Sequence, residues 1–490
     1  MKIKNYLYFA LLSMSFCTFI SAANQTEELS EIIVDNSLPF RVRLKQADFQ
    51  LPQGVQSYAH AGYGNKWLIV GGRVNGMHGF ADDTENFPTK LQNRQVFVID
   101  PINKKTFVRS LYDPGSGLTQ EQIDLLSVTA PQAYQSGKTL YMSGGYGVDS
   151  ATGQLNTKNA LTAIDIAGLI HWVTHPHPNE TAAQYIRHTY DNIFKVTGGY
   201  MNQIDEGPTL LVMGHEFNGF YMDTTQPAFQ QYTNQVRRFY IHDDGVNLSF
   251  TPEAALPIIP DPSYRRRDLN VVPIVRKVNK KLEKSLLVLS GVFTETTGIW
   301  TVPVEVSANG EASMADPTLP STFKQGMNNY DCATFGMFSK KTGDMYTILL
   351  GGISFGFFEQ TATGLQFKTD AEFPFINQAT VVRTDKEGGH SQYFLPSANY
   401  PYIASKTVHK GNPMLFGAEG EVFLLHEIHK YSNHVLELDK IKKSTLIGYV
   451  IGGIQSSVPN TTTQADSFAS PYLFEIIVEP VHDHCHCPCH

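Results

Sequence analysis

The chain predicts an all-β fold of about six radially repeated sheets, and three observations carry that prediction. A run of apolar residues ending in a small-residue step recurs six times. In four of the intervals an apolar strand ending in Asp is followed by a returning aromatic. The composition is rich in glycine and aromatics and poor in charge, which favours turn-rich β structure over helix.

The six runs are Trp67 to Val70 before Gly71-Gly72, Leu140 to Ser143 before Gly144-Gly145, and Leu210 to Met213 before Gly214. They continue with Leu286 to Leu289 before Ser290-Gly291, Ile348 to Leu350 before Gly351-Gly352, and Gly448 to Ile451 before Gly452-Gly453. The steps lie between residues 71 and 452, five intervals over 381 residues, a mean of about 76. Each run is too short for a helix and reads as a fully buried strand. Glycine at its end permits positive φ or close approach of another backbone.

The second element is Val96 to Asp100 with Phe107, Leu161 to Asp165 with Trp172, and Phe239 to Asp243 with Phe250; Val381 to Asp385 with Tyr393 is a looser copy. Asp makes the turn, and the aromatic is expected to return on the next strand and pack between sheets. Together the glycine steps and the Asp/aromatic pairs resemble the kelch-type β-propeller family over roughly residues 40–480. That resemblance implies four-stranded blades, with a double glycine after the second strand and an aromatic on the fourth. The chain departs from it in its long intervals, at Gly214-His215 and Ser290-Gly291, and in Gly198-Gly199, which stands off the pattern. The last strand, Tyr472 to Val478, leaves the final blade one strand short, and Phe40 to Leu44 is expected to complete it. Six blades are expected, or seven if residues 396–440 hold another.

Of 490 residues, 42% are hydrophobic and 17% charged, with 39 Gly, 26 Pro, 30 Phe and 23 Tyr, which excludes a disordered chain. The net charge is −8, and the longest basic run, Arg265-Arg266-Arg267, reads as a solvated loop. Nucleic acid is therefore not an expected partner, since its binding needs clustered positive charge. Residues 1–23 read as a secretory signal, with Lys2 and Lys4 before the apolar Tyr6 to Ile20 and small residues at Ser21-Ala22-Ala23. A linker over 24–39, a propeller over 40–480 and a tail over 481–490 complete the expected organisation. No later apolar run reaches the ~18 residues of a membrane span. The expectation is an exported monomer, periplasmic or extracellular.

The tail holds seven soft-metal ligands in nine residues: His482, His484, Cys485, His486, Cys487, Cys489 and His490. Thiolates and imidazoles at this density suit Zn(II) or Cu(I). No nucleotide or organic cofactor is indicated. Gly352-Ile-Ser354-Phe-Gly356 matches the hydrolase elbow but overlaps a glycine step instead of a strand-to-helix turn. His175 and His177 are two ligands where a site needs three or four. Copper-radical oxidases resembling galactose oxidase share the propeller, but this chain has no Tyr-His dipeptide, and Cys332 reads as a small buried residue on the first strand of blade five.

Secreted kelch-type sialic-acid mutarotases are a second enzymatic resemblance. It implies acid/base groups at the propeller mouth, where the candidates are His60, Arg73, Tyr146, His215 and Glu216. With no complete catalytic constellation and long loops, the first expectation is a binding scaffold for a protein or glycan, carrying a metal-binding tail. The alternative is a carbohydrate-active enzyme, mutarotase- or lyase-like, using the axial pocket. A deep pocket of paired acids and bases would favour the enzyme, and a shallow face of exposed aromatics the binder.

Overall fold

The computed structural model describes residues 29–34, 37–226, 228–294, 298–461 and 463–481. The protein is all-β, built mainly of four-stranded antiparallel sheets. Sheet I contains Ala59–Tyr63, Lys66–Val70, Gln95–Asp100 and Lys105–Ser110; sheet II contains Gln132–Ser136, Thr139–Ser143, Ala160–Asp165 and Ile186–Tyr190. Sheet III contains Tyr200–Gln203, Thr209–Val212, Val236–Asp243 and Leu248–Leu256; sheet IV contains Asn270–Val278, Lys281–Leu289, Val304–Val306 and Ala312–Met314. Sheet V contains Ala333–Phe338, Met345–Leu350, Ala379–Thr384 and His390–Phe394, with Ile32–Ile33 and Leu436–Glu437 added in parallel at its two edges. Sheet VI contains Gly420–Leu424, Thr445–Gly452, Tyr472–Pro480 and, from the other end of the chain, Phe40–Gln50.

The expected strand Phe40 to Leu44 does complete the last sheet, pairing Phe40 with Pro480 and Leu44 with Ile476. Its alternation explains why. Phe40, Val42 and Leu44 are buried, while Arg41, Arg43 and Lys45 face outward, as an edge strand with one wet face requires. Arg43 donates to Glu479 at 3.0 Å and Lys45 to Glu475 at 3.3 Å, so charge complementarity supports the register. Residues 396–440 contribute the first strand of sheet VI and a short strand beside sheet V, not a further four-stranded sheet.

The second strands are the core. Leu68, Ile69 and Val70 are completely buried, as are Leu210, Leu286, Ile348 and Leu350, because each strand is flanked within its sheet and covered on both faces. Burying each such side chain stabilises the fold by roughly 1.5–3 kcal/mol.

At the end of every second strand, two consecutive residues take positive φ. They are Gly71-Gly72, Gly144-Gly145, Met213-Gly214, Ser290-Gly291, Gly351-Gly352 and Gly452-Gly453. In sheet III the step is therefore Met213-Gly214, one residue earlier than Gly214-His215. The second residue is glycine in all six for a steric reason: a Cβ on Gly72 would lie 2.3 Å from the Gln56 carbonyl oxygen. The step also ties sheets together. Gly72 N–H donates to Val128 at 2.7 Å, Gly145 to Val196 at 2.9 Å and Gly214 to Arg266 at 2.9 Å. Gly352 donates to Phe416 at 3.1 Å, and Gly453 of sheet VI donates to Val55, just before sheet I, at 2.9 Å.

Two sequence expectations are corrected. Trp172 does not return on a strand; it is fully buried in the helix Ile166–Thr174, whose N-terminus Asp165 caps by accepting from Gly168 N–H at 2.9 Å. The three arginines are not a solvated loop. Arg266 is fully buried, donating to the Ser290 and Val302 carbonyls at 3.1 and 2.7 Å and lying over Trp300. Arg265 stacks on Tyr232 at 4.1 Å and Arg267 on Phe293 at 4.7 Å. Among the described residues no helix is long and apolar enough to cross a membrane.

Candidate functional site

The first strands of all six sheets line one cavity of about 590 Å³. Six residues, each just before one of these strands, form its wall nearest the glycine steps: Ser57, Ala130, Gly198, Asp268, Asp331 and Glu419. All six take positive φ, between 45° and 62°. The conformation recurs because the chain must turn sharply into the first strand, and the corners support one another. Ala130 N–H donates to Ser57 at 3.0 Å, Asp268 to Gly198 at 2.9 Å, Glu419 to Asp331 at 2.6 Å, and Ser57 to Glu419 at 3.3 Å. That last bond joins sheet VI to sheet I.

Three adjacent corners are acidic, and Glu421, two residues beyond Glu419, adds a fourth carboxyl to the lining. All four side chains are half-buried. Burial, and then the neighbouring Glu419, hold the Asp331 carboxyl well above the usual carboxylate range. Burial also raises Glu419, partly offset by hydrogen bonds from Asp331 and Ser57, the Ser57 hydroxyl donating at 2.5 Å. Burial and Glu419 push Glu421 up to about 8. Asp268 has a partner of its own in Arg267, 3.6 Å away. Burial opposes the charge on Arg267, but Asp268 outweighs it and keeps the guanidinium protonated. The arrangement is thus a hydrogen-bonded carboxyl pair, Asp331 and Glu419, able to hold a proton on one member and offer the other as a base.

Of the five candidates, His60 alone lines this cavity, half-buried on the first strand of sheet I with its ring 4.5 Å from that of Phe423. Burial, then His434, lowers its pKa to about 4, so its imidazole is neutral at pH 7. The other four follow glycine steps and lie in the loops beyond them. Arg73 is buried, donating to Pro88 O and Asn75 Oδ1, each at 3.0 Å, with its guanidinium over Phe87. Tyr146 donates to Gly219 O at 2.7 Å. His215 is held between the Gln230 amide at 2.9 Å and Arg267 at 3.5 Å, and Glu216 pairs with Lys195 at 3.3 Å. Tyr146, His215 and Glu216 belong to an accessory sheet of Tyr146–Asp149, Gln154–Thr157, His215–Asn218 and Phe229–Tyr232, which the loops of sheets II and III build together.

The long loop after the first glycine step reaches across to loops of two other sheets. Met77 N–H donates to Ser467 Oγ at 2.8 Å and Asn86 donates to Tyr221 O at 2.9 Å, linking it to loops of sheets VI and III. The His78 ring sits against Phe80, Phe87 and Tyr221 at 4.6–4.8 Å. At the opposite end the cavity is lined by hairpin turns that carry Gly64, Lys138, His426 and Lys430.

Ser354 of the hydrolase-like motif is fully buried, its hydroxyl donating to Gly356 O at 2.7 Å and accepting from Asn328 N–H at 3.0 Å. Cys332 is buried immediately before the first strand of sheet V, and burial raises its thiol pKa. The tail ligands His482, His484, Cys485, His486, Cys487, Cys489 and His490 lie outside the described residues, as do residues 1–23. No group of three or more His, Cys, Asp or Glu positioned to hold a metal ion occurs among the described residues.

No family model and no curated protein matches this chain. A solved structure described as "Structure of YjhT" is similar at 11% identity, covering 88% of this chain and 98% of its own, with a TM-score of 0.44.

Proposed function

We propose that this protein is an exported, six-bladed kelch-like propeller whose axial cavity is a proton-handling site for a carbohydrate, mutarotase- or lyase-like in its chemistry. The observation that carries the reading is the Asp331–Glu419 pair: two hydrogen-bonded carboxyls at the adjacent corners that lead into the first strands of sheets V and VI, inside a cavity large enough for a small ligand. The six four-stranded sheets, the recurrent glycine-step bonds and the bond from Ser57 to Glu419 support the propeller. In such chemistry protonated Asp331 would donate to a ring or leaving oxygen while ionised Glu419 takes a proton from the substrate. Paired acid and base in a deep cavity is the arrangement that favours the enzyme over the binding scaffold.

The test follows anomeric equilibration of a panel of reducing sugars by proton NMR. Acceleration by the full chain, lost in Asp331→Asn and in Glu419→Gln with unchanged melting temperature, supports the reading. No acceleration by the intact protein returns it to a scaffold that binds a protein or glycan through its loops.

The Cys/His tail is a separate proposal, metal capture by residues 482–490, supported by its ligand density. Zn(II) and Cu(I) stoichiometry on reduced protein, full-length against a truncation ending at Pro480, tests it. Tight binding of about one ion, lost on truncation, sustains it, and equal weak binding in both removes it.

A further inference from the structure

Away from the axial cavity, one helix carries a second group of side chains with a chemistry of its own. Helix Ile166–Thr174 buries Trp172 in the core shared by sheets I and II and leaves His171 exposed. The chain leaves the helix at its C-cap His175, whose N–H still donates to His171 O at 2.8 Å. The two imidazoles therefore keep the i,i+4 spacing that places side chains on one face of a helix. Their rings stack 4.9 Å apart and nearly parallel. The sequence singles out His175 with His177, but the helix pairs His175 with His171 instead.

Hydrogen bonds fix which nitrogen of each ring is free. The buried Glu180 carboxylate accepts from the Tyr185 hydroxyl at 2.6 Å and lies 2.9 Å from His171 Nδ1. Burial opposes its charge, but these two hydrogen bonds outweigh it and hold the carboxyl below its usual range. An ionised carboxylate only accepts, so in the neutral imidazole His171 Nδ1 carries the proton and Nε2 keeps its lone pair. Thr174 gives its hydroxyl hydrogen to Ile170 O at 2.8 Å, so toward His175 Nδ1, 2.9 Å away, it can only accept. His175 is thus in the same tautomer, again with Nε2 free. His177 is in the other one: Asn179 N–H donates to its Nδ1 at 3.3 Å, which puts the ring proton on Nε2. Among the described residues neither Nε2 of the stacked pair has a protein partner. Fastening the loop to the helix would account for the Glu180 bond, but not for two stacked rings that present the same lone pair.

We propose that His171 and His175 bind a divalent transition-metal ion through their Nε2 atoms, with Glu180 as the carboxylate that orients His171. A ligating imidazole ordinarily gives its other N–H to a carboxylate or another oxygen, and here both rings do so. Two imidazole nitrogens suit Ni(II), Cu(II) or Zn(II); Ca(II) and Mg(II) take oxygen ligands. Metal–nitrogen bonds of about 2.0–2.1 Å require the two Nε2 atoms to come within about 3 Å, a ring rotation open to the exposed His175. Water completes the shell, in keeping with two protein ligands where no group of three is gathered among the described residues. The site stands apart from both the axial cavity and the Cys/His tail.

Ni(II), which does not oxidise thiols, is the probe, and the full chain is used throughout so that the tail is common to every sample. On the unaltered protein, diethyl pyrocarbonate labelling read by tandem mass spectrometry should show His171 and His175 modified without metal and shielded at least tenfold by Ni(II), with His177 labelled equally in both. Calorimetry should then find one Ni(II) fewer per chain in His171→Gln and in His175→Gln than in the wild type, and no change in His177→Gln. Glu180→Gln should keep the ion but weaken it about tenfold, the lower end of what losing such a carboxylate costs a metal site. Unchanged labelling of His171 and His175 with Ni(II) overturns the inference, and needs no variant to fold. Equal stoichiometry and affinity in the wild type and both ligand variants overturns it as well. Loss of the ion in His177→Gln overturns the assignment of the pair, because that ring is in the wrong tautomer to bind through Nε2.

Discussion

The same left-handed corner occurs six times, yet its two halves differ in chemistry. Sheets I to III fill it with Ser57, Ala130 and Gly198, and sheets IV to VI with Asp268, Asp331 and Glu419. The backbone demand is common to all six, since φ stays between 45° and 62° throughout. Glycine meets that demand at no steric cost, whereas a side chain there costs of order 1 kcal/mol. The acidic half adds a desolvation penalty that the neutral half avoids. Ser57 and Ala130 bear the first cost as well, so it is the desolvation of the acids that the turn alone does not explain.

The halves should nevertheless share one dependence. Gly72→Ala in the neutral half and Gly453→Ala in the acidic half each drive a Cβ into a backbone carbonyl, 2.3 Å from Gln56 O and 2.6 Å from Ala418 O. Each is expected to lose about 3 kcal/mol or more in chemical denaturation, from backbone strain combined with overpacking. Gly137→Ala, also at positive φ but with open space around it, should lose only about 1 kcal/mol. A small loss at Gly453 alone would break the equivalence of the halves.

Within the acidic half, Asp268 should behave unlike its neighbours. Asp268→Asn strips Arg267 of its partner and is expected to cost about 2 kcal/mol, short of a fully buried pair because both side chains retain some exposure. Asp331→Asn removes a carboxyl already held protonated and should leave the melting temperature nearly unchanged. If both variants lose equally, the division between a paired acid and an unpaired set fails.

A smaller effect depends on pH. Glu421 titrates near 8 in the folded protein, against about 4.3 for an unperturbed glutamate. The folded state therefore holds a proton that the unfolded state releases, and its stabilisation is full below the unfolded value and lost as pH rises through 8. Glu421→Gln should gain about 1–2 kcal/mol on the native protein between pH 5 and pH 8, where a tenfold change in proton affinity is worth about 1.4 kcal/mol before cavity water reduces it. Parallel stability curves for the two proteins would show that Glu421 titrates as an ordinary glutamate.

The smallest change expected is a gain. Glu419→Gly restores the residue that the corner prefers and should stabilise the fold by roughly 1 kcal/mol while abolishing sugar equilibration. A loss of stability would mean that Glu419 is built into the frame as firmly as the glycine steps.

The same comparison explains what could be read in advance. From corner to step, Ser57 to Gly71 and Ala130 to Gly144 each span 14 residues, and Gly198 to Met213 spans 15. In the acidic half, Asp268 to Ser290 spans 22 residues, Asp331 to Gly351 spans 20 and Glu419 to Gly452 spans 33. The second strands were legible throughout, because burial on both faces writes a continuous apolar run. The corners were not, because hairpins of variable length separate them from that run, and Gly198-Gly199 looked off-pattern for want of a register. Among the sought residues His60 lines the cavity, while Arg73, Tyr146, His215 and Glu216 serve the loops beyond the steps.

Local chemistry thus determined the all-β character, the six core strands, the need for glycine at their ends and the pairing of Phe40 to Leu44 with the last strand, which the structure extends to Phe40–Gln50 against Tyr472–Pro480. Each depends on patterns a few residues long, which burial and sterics impress directly on the chain. The carboxyl pair was decided by tertiary structure alone. Asp331 and Glu419 lie 88 residues apart in the sequence, and only the packing of adjacent first strands brings them into one hydrogen bond. Burial there raises the pKa of both acids, which residue type and spacing cannot express.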